Sequence, residues 1–168
     1  MSPVTEEFKT QSIYRIEENL LRVKQCFRHL TDEDIWLRPN EFSNSISNII
    51  LHLCGNIRQY IISGLGEQPD TRGRDEEFAA RGGFLRNEIM NMLEETIEQS
   101  IAIISNMSEE SLLKPRQVQG FPLSGIGIII HVTEHLSYHT GQIAFWVKQF
   151  KNMDLGFYSG VNLNIKNQ

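Results

Sequence analysis

The sequence has 168 residues, 40% of them hydrophobic and 22% charged, an ordinary globular composition with enough chain to bury a proper core. Its net charge of −5 argues against a nucleic-acid surface, which needs a basic stripe for phosphates, and no apolar run approaches the roughly 20 residues that span a bilayer. The opening "MSPVTEEFKT" is too acidic and polar for a secretory signal, and Cys26 and Cys54 sit inside helical patterns, as reduced core residues of a cytoplasmic protein rather than a disulfide framework.

No repeat, low-complexity tract or linker divides the chain, so residues 1–168 read as one domain. A first helix is predicted from about Val4 to Leu30, where Phe8, Ile13, Ile16, Leu20, Val23 and Phe27 recur at three- and four-residue steps. Thr31 is placed to cap a short turn through "DEDIW". The second helix follows Asn44 or Ser45 as N-cap, carries Ile46, Ile49, Ile50, Leu53, Ile57, Tyr60 and Ile61 as its stripe, and stops at Gly64 and Gly66. The third spans about Phe84 to Met107. The fourth begins near Leu123, after the breaker stretch "KPRQVQGFP", and runs to about Phe150. Four long amphipathic helices with no strand signal predict an all-α four-helix bundle. Residues 64–83 are longer than a tight turn needs. They can run back along a helix, which permits helices two and three to lie parallel in an up-down-down-up order.

The fourth helix carries a ladder, His131, His135 and His139, in "HVTEHLSYHTGQIAFWVKQF". Side chains four apart share a helix face, so two neighbouring imidazoles can converge on one ion. Three cannot, because the outer two are about 12 Å apart along the axis. The pairs are His131/His135 and His135/His139. The seam Val132, Leu136, His139, Ile143, Trp146, Phe150 favours the second pair, since it turns His139 toward the core. The competing reading is a core histidine satisfied by a hydrogen bond. From the second helix His52 is the better third ligand. Cys54, two residues on, points about 200° away and cannot face the same ion. His29 precedes a turn and is expected to face solvent. Gly141, inside the fourth helix, suggests a close approach by a ligand or neighbouring backbone.

"NSISNIILHLCGNIRQYI" followed by "HVTEHLSYHTGQIAFWVKQF" resembles the DinB/YfiT-like superfamily of predicted metalloenzymes, in a branch of small bacterial proteins. The likeness extends to "LRPNEFSNSI", "DEEFAARGGFLRNEI" and "DLGFYSG". It implies a four-helix bundle in up-down-down-up order, a homodimer, and a divalent metal held by His52, His135 and His139. His131 falls outside that ligand pattern. With Asn56, Gln142 and Tyr138 it is expected behind the ligands or lining the pocket. Zinc and nickel both suit imidazole. Characterised relatives include metal-dependent transferases that use low-molecular-weight thiols such as bacillithiol or mycothiol.

The leading expectation is therefore a metal-dependent S-transferase acting on a small-molecule substrate, without nucleic-acid or membrane partners. The alternatives are a metal-dependent hydrolase and a non-catalytic metal-binding or stress-response protein. A fourth ligand from the third helix, such as Glu88 or Glu95, favours the last of these. An open position favours catalysis. Metal is expected to be lost as pH falls through roughly 6, where imidazoles take up protons.

Overall fold

The chain is helical wherever apolar residues recur at helical spacing, as a computed structural model describing residues 2–167 shows. Helix α1, Pro3–Phe27, starts where the Ser2 hydroxyl accepts the Thr5 amide, with proline in the first turn, where its missing N–H costs nothing. Beyond it Thr31 and Asp34 exchange side-chain-to-backbone hydrogen bonds, closing a short 3₁₀ turn at Asp34–Trp36. Helix α2, Ile46–Ile57, opens on a reciprocal capping box between Ser45 and Asn48. Its continuation Arg58–Ser63 is wound as a π turn. That wider turn buries Tyr60 and Ile61 side by side before Gly64 ends it.

The 64–85 connection is more structured than its composition suggests, for it contains a short helix α3, Arg74–Ala79. Helix α4, Arg86–Asn106, and a further short helix α5, Glu109–Leu113, follow. The expectation of an all-α chain without strands needs correction. The stretch taken for a breaker is a β-hairpin, with β1 Pro115–Val118 paired antiparallel to β2 Phe121–Ser124. Its two-residue turn, Gln119 at φ 53° and Gly120 at φ 82°, has the left-handed backbone that joins twisted strands. Glutamine tolerates that region less readily than asparagine, so the turn is a weak signal in sequence. Helix α6, Gly125–Lys151, is capped by Ser124 and ends at the left-handed Asn152.

The four long helices pack pairwise: α1 against α6 and α4, and α2 against α4 and α6. Between them lies a continuous core that includes Ile16, Val23, Ile50, Leu53, Ile89, Leu93, Ile97, Val132, Leu136 and Ile143. Both cysteines are free and buried, as expected. No helix among the described residues is long and apolar enough to cross a membrane. The α2–α6 contact positions the candidate site, and Leu53, next to His52 in the chain, is fully buried in the core. Leu53→Ala is expected to lower unfolding free energy by about 2–5 kcal/mol, since the rigid neighbours cannot collapse fully into the cavity. Urea denaturation of the metal-free protein measures this.

Candidate metal centre

Helix α2 turns Ile49, Leu53 and Ile57 into the core and leaves His52 on the edge of that stripe, buried and facing α6. On α6, Val132 and Leu136 enter the core. His135 and His139 flank Leu136, half-buried and facing α2. The packing of these two helices thus brings three imidazoles together, their ligating atoms all within 4.8 Å of one another. Nε2 of His135 lies 3.2 Å from Nε2 of His52 and 3.0 Å from Nε2 of His139. Nitrogens on one tetrahedral ion, each about 2.0–2.1 Å from it, are about 3.3 Å apart.

The outward nitrogens explain why the inward ones are free to bind. His139 Nδ1–H donates to Gln142 Oε1 at 2.7 Å, and His52 Nδ1–H donates to Glu77 Oε2 at 3.0 Å. Both rings then present Nε2 lone pairs to the centre. A proton on His135 Nε2 can satisfy one of its two close contacts but not both, whereas a cation among the three nitrogens satisfies all of them. His135 Nδ1 is buried without a partner. The three histidines could hold a metal ion.

Burial disfavours the protonated form of both α6 histidines. Burial pushes the His135 pKa down to about 3, helped by the positive character of His139, His52, His131 and Arg72. His139 is also lowered by burial, against the opposing hydrogen bond to Gln142. Burial alone would raise the Glu77 carboxyl. Hydrogen bonds from His52 and Arg72, and their charges, outweigh it and hold the group below the usual carboxylate range.

The remaining expected residues divide cleanly. His131 stands outside the cluster, its ring stacked on Tyr60 at 4.3 Å and its Nε2 3.4 Å from Asn56 Nδ2. Tyr60 in turn donates to Gln119 Oε1 in the hairpin turn at 2.9 Å, so the hairpin buttresses the ladder's first histidine. Tyr138 is exposed and sets its ring edge-on to His139 at 5.0 Å. Cys54 faces away, as geometry required, and burial raises its thiol pKa to about 12 despite a hydrogen bond with Thr96. His29 is half-buried rather than solvent-facing. Gly141 is exposed, and a methyl there would meet nothing, so it marks no close approach. Among the described residues neither Glu88 nor Glu95 joins the three histidines. Glu88 instead caps α4 by accepting the Leu85 amide.

Sequence reasoning missed the charged pair behind His52. Glu77 comes from α3 and Arg72 from the segment just before it, in a connection whose composition gives no sign of burial. Yet Arg72 and Glu77 have side-chain exposures of only 3% and 9%. Arg72 Nε and Nη2 both donate to the carboxylate, at 2.7 and 2.9 Å. Nη2 also lies 3.1 Å from His52 Nδ1, but both are donors there, and the carboxylate takes the ring proton. A cleft of about 410 Å³ borders the pair, lined also by Arg58, Asp70 and Met92. A larger groove of about 700 Å³, lined by residues of α1 and α6, includes none of the three histidines.

Comparison with solved structures places this arrangement in a known fold. A DinB-like protein from Bacillus cereus superposes with a TM-score of 0.67 at 17% identity, covering 87% of this chain and 92% of its own. One from Bacillus subtilis superposes at 0.66 and 14% identity, covering 86% and 94%. A mutant of the mycothiol-dependent maleylpyruvate isomerase superposes at 0.61 and 12% identity, covering 83% of this chain and 60% of the other. No curated protein matched the sequence. The DinB-like resemblance of the histidine motifs and the fold of these neighbours agree. Residues 4–160 match the family described as "Protein of unknown function (DUF1572)", and the chain belongs to that family.

Proposed function

We propose that this protein is a metal-dependent enzyme in which His52, His135 and His139 hold one divalent ion, zinc or nickel, and that it transfers a low-molecular-weight thiol to a small electrophile. The observation that carries the reading is the convergence of three Nε2 atoms whose rings are oriented by outward partners on His52 and His139. The packing of α1, α2, α4 and α6 is read as an up-down-down-up four-helix bundle in which the 64–85 connection lets α2 and α4 run parallel. The thiol-dependent neighbour of the same fold supports the substrate class.

An ion bound here would supply Lewis-acid activation, lowering the pKa of a thiol brought to it. The residues of the chain do the rest. Glu77 and Gln142 orient two of the rings, burial disfavours protonation of His135 and His139, and Tyr138 and His131 border the cluster on two sides. Three imidazoles with no carboxylate or thiol among them leave room for a further ligand, which favours turnover over storage. A metal-activated water would make the same site a hydrolase. The assay that separates these readings measures thiol consumption by the metal-loaded protein with bacillithiol-like thiols and model electrophiles. Metal-dependent consumption of thiol is expected. Cleavage of ester or amide substrates with no thiol dependence would establish the hydrolase instead.

Elemental analysis of variants tests the ligand set. His135→Ala and His139→Ala should carry little metal, while His131→Ala, whose ring faces Tyr60 and Asn56, should remain near-stoichiometric. Circular dichroism should show all three still helical. Reversed contents for the last two would move the site one turn toward the start of α6.

The lowered histidine pKa values also set an acid limit. An unfolded chain takes up protons on these histidines below about 6.5, whereas the folded chain resists until pH nears its own lower values, about 3 for His135. The unfolded state binds more protons across that window, so folding stability falls as pH falls through it. In the metal-free protein, urea midpoints should therefore drop from pH 6.5 toward pH 3, and more shallowly in His135→Gln. For the same reason the loss of metal expected from the sequence at roughly pH 6 should shift to lower pH, because His135 and His139 resist protonation in the folded chain.

A further inference from the structure

We infer that Glu77 and Arg72 are positioning residues for His52, and that docking of the 64–85 connection onto α2 is therefore a condition of tight metal binding. The second half of this inference rests on the metal reading above. The first half concerns the ring of His52 alone.

Three independent features carry the inference. First, α3 delivers consecutive residues to one imidazole: Glu77 accepts the Nδ1 proton, and the Phe78 ring packs against the imidazole with centroids 4.8 Å apart. A ring held by a carboxylate on one nitrogen and an aromatic on its face has one tautomer and little freedom, with Nε2 aimed at His135 and His139. Arg72 fixes the carboxylate by a two-point grip, and Gln59, one π turn along, holds Arg72 Nη1 at 2.9 Å.

Second, the backbone of α3 is anchored one turn of α2 before His52. Asn48 Nδ2 donates to the carbonyls of Glu77 and Ala80 at 2.8 and 3.0 Å, and Arg38 donates to that of Phe78 at 2.9 Å. The connection cannot leave α2 without taking Glu77 off His52. Third, α2 is cut away where the pair lies. A Cβ at Gly55 would overlap the Glu77 carboxylate and crowd Arg72 Nε. Glycine inside a helix is unfavourable relative to alanine, and the space it leaves here is filled by this ion pair. Gly55 is thus the groove in which the carboxylate reaches the ring.

Two readouts on the full-length chain test this. In metal-free protein, ¹⁵N–¹H correlation spectra of the imidazoles report the His52 tautomer. In a cobalt(II) titration, d–d absorption and competition with a chelator report affinity. The wild type should show His52 protonated on Nδ1. Glu77→Ala should show mixed tautomers and a 10- to 100-fold weaker cobalt affinity, the usual loss when an outer partner of a ligating histidine is removed. Glu77→Gln, which keeps an oxygen acceptor for Nδ1–H, should restore most of both. Gly55→Ala leaves the pair's chemistry intact but pushes the carboxylate aside, and should reproduce Glu77→Ala. Glu76→Ala, an exposed neighbour, should change neither readout. If Glu77→Ala and Gly55→Ala lower only the thermal midpoint, with His52 still protonated on Nδ1 and cobalt affinity unchanged, the pair merely anchors a loop and the inference is overturned. A wild type that binds no cobalt, yet loses its His52 tautomer in Glu77→Ala, would overturn the metal reading while upholding the positioning role.

Discussion

Three imidazole nitrogens face one another across the α2–α6 contact at distances too short for three lone pairs to share comfortably. Buried polar atoms without partners are costly, so the surrounding structure has to be arranged to hold them there. Much of what surrounds them follows from that need. The outward nitrogens of His52 and His139 are tied to Glu77 and Gln142, which fixes the direction of the lone pairs. Leu53 and Val132 seal the core beneath, and the π turn after Ile57 swings Tyr60 under His131. His135, the central ring, has no partner of its own on Nδ1. It is held through its Nε2, between the other two, and by stacking against His131 with centroids 5.6 Å apart.

The least expected element is the 64–85 connection. Its charges look like those of a solvated loop, and most of them are exposed. Glu77 and Arg72 are not, because each neutralises the other and both are enclosed between α2 and α3. A buried ion pair of this kind contributes little net stability, since desolvation offsets its attraction. Its retention against the back of His52 makes better sense as a means of orienting a ring than as a means of holding the fold. The hairpin plays a comparable part at the other end of the ladder. Its Gln119 side chain accepts from Tyr60, whose ring supports His131. The connection thus touches the histidine face directly through Glu77, and the hairpin reaches it through Tyr60.

The sequence by itself determined the long helices, because apolar residues at three- and four-residue steps need no tertiary information to be recognised. It also determined which histidines share a face, since four residues advance an α-helix by little more than a turn. That His52 and His135/His139 would meet followed from their positions on apolar stripes together with the DinB-like motif. The caps at Ser45 and Thr31 were legible for the same local reason. Where the local rules were weak, legibility failed: a glutamine-glycine turn between proline-bearing strands lacks the stronger asparagine-glycine signature, and Gly141 marked no close approach.

Only the tertiary structure decided what stands behind the ligands. Glu77 lies 25 residues beyond His52 in the chain, on a helix too short for periodicity to betray, and its burial depends on Arg72, Asn48 and Gly55 arriving together. No single residue in that set is unusual where it stands. A charge in a loop reads as solvated until a partner of opposite sign and a recess of the right depth are brought to it. Those are properties of packing between elements, not of spacing within one, and so they appear only when the chain is folded.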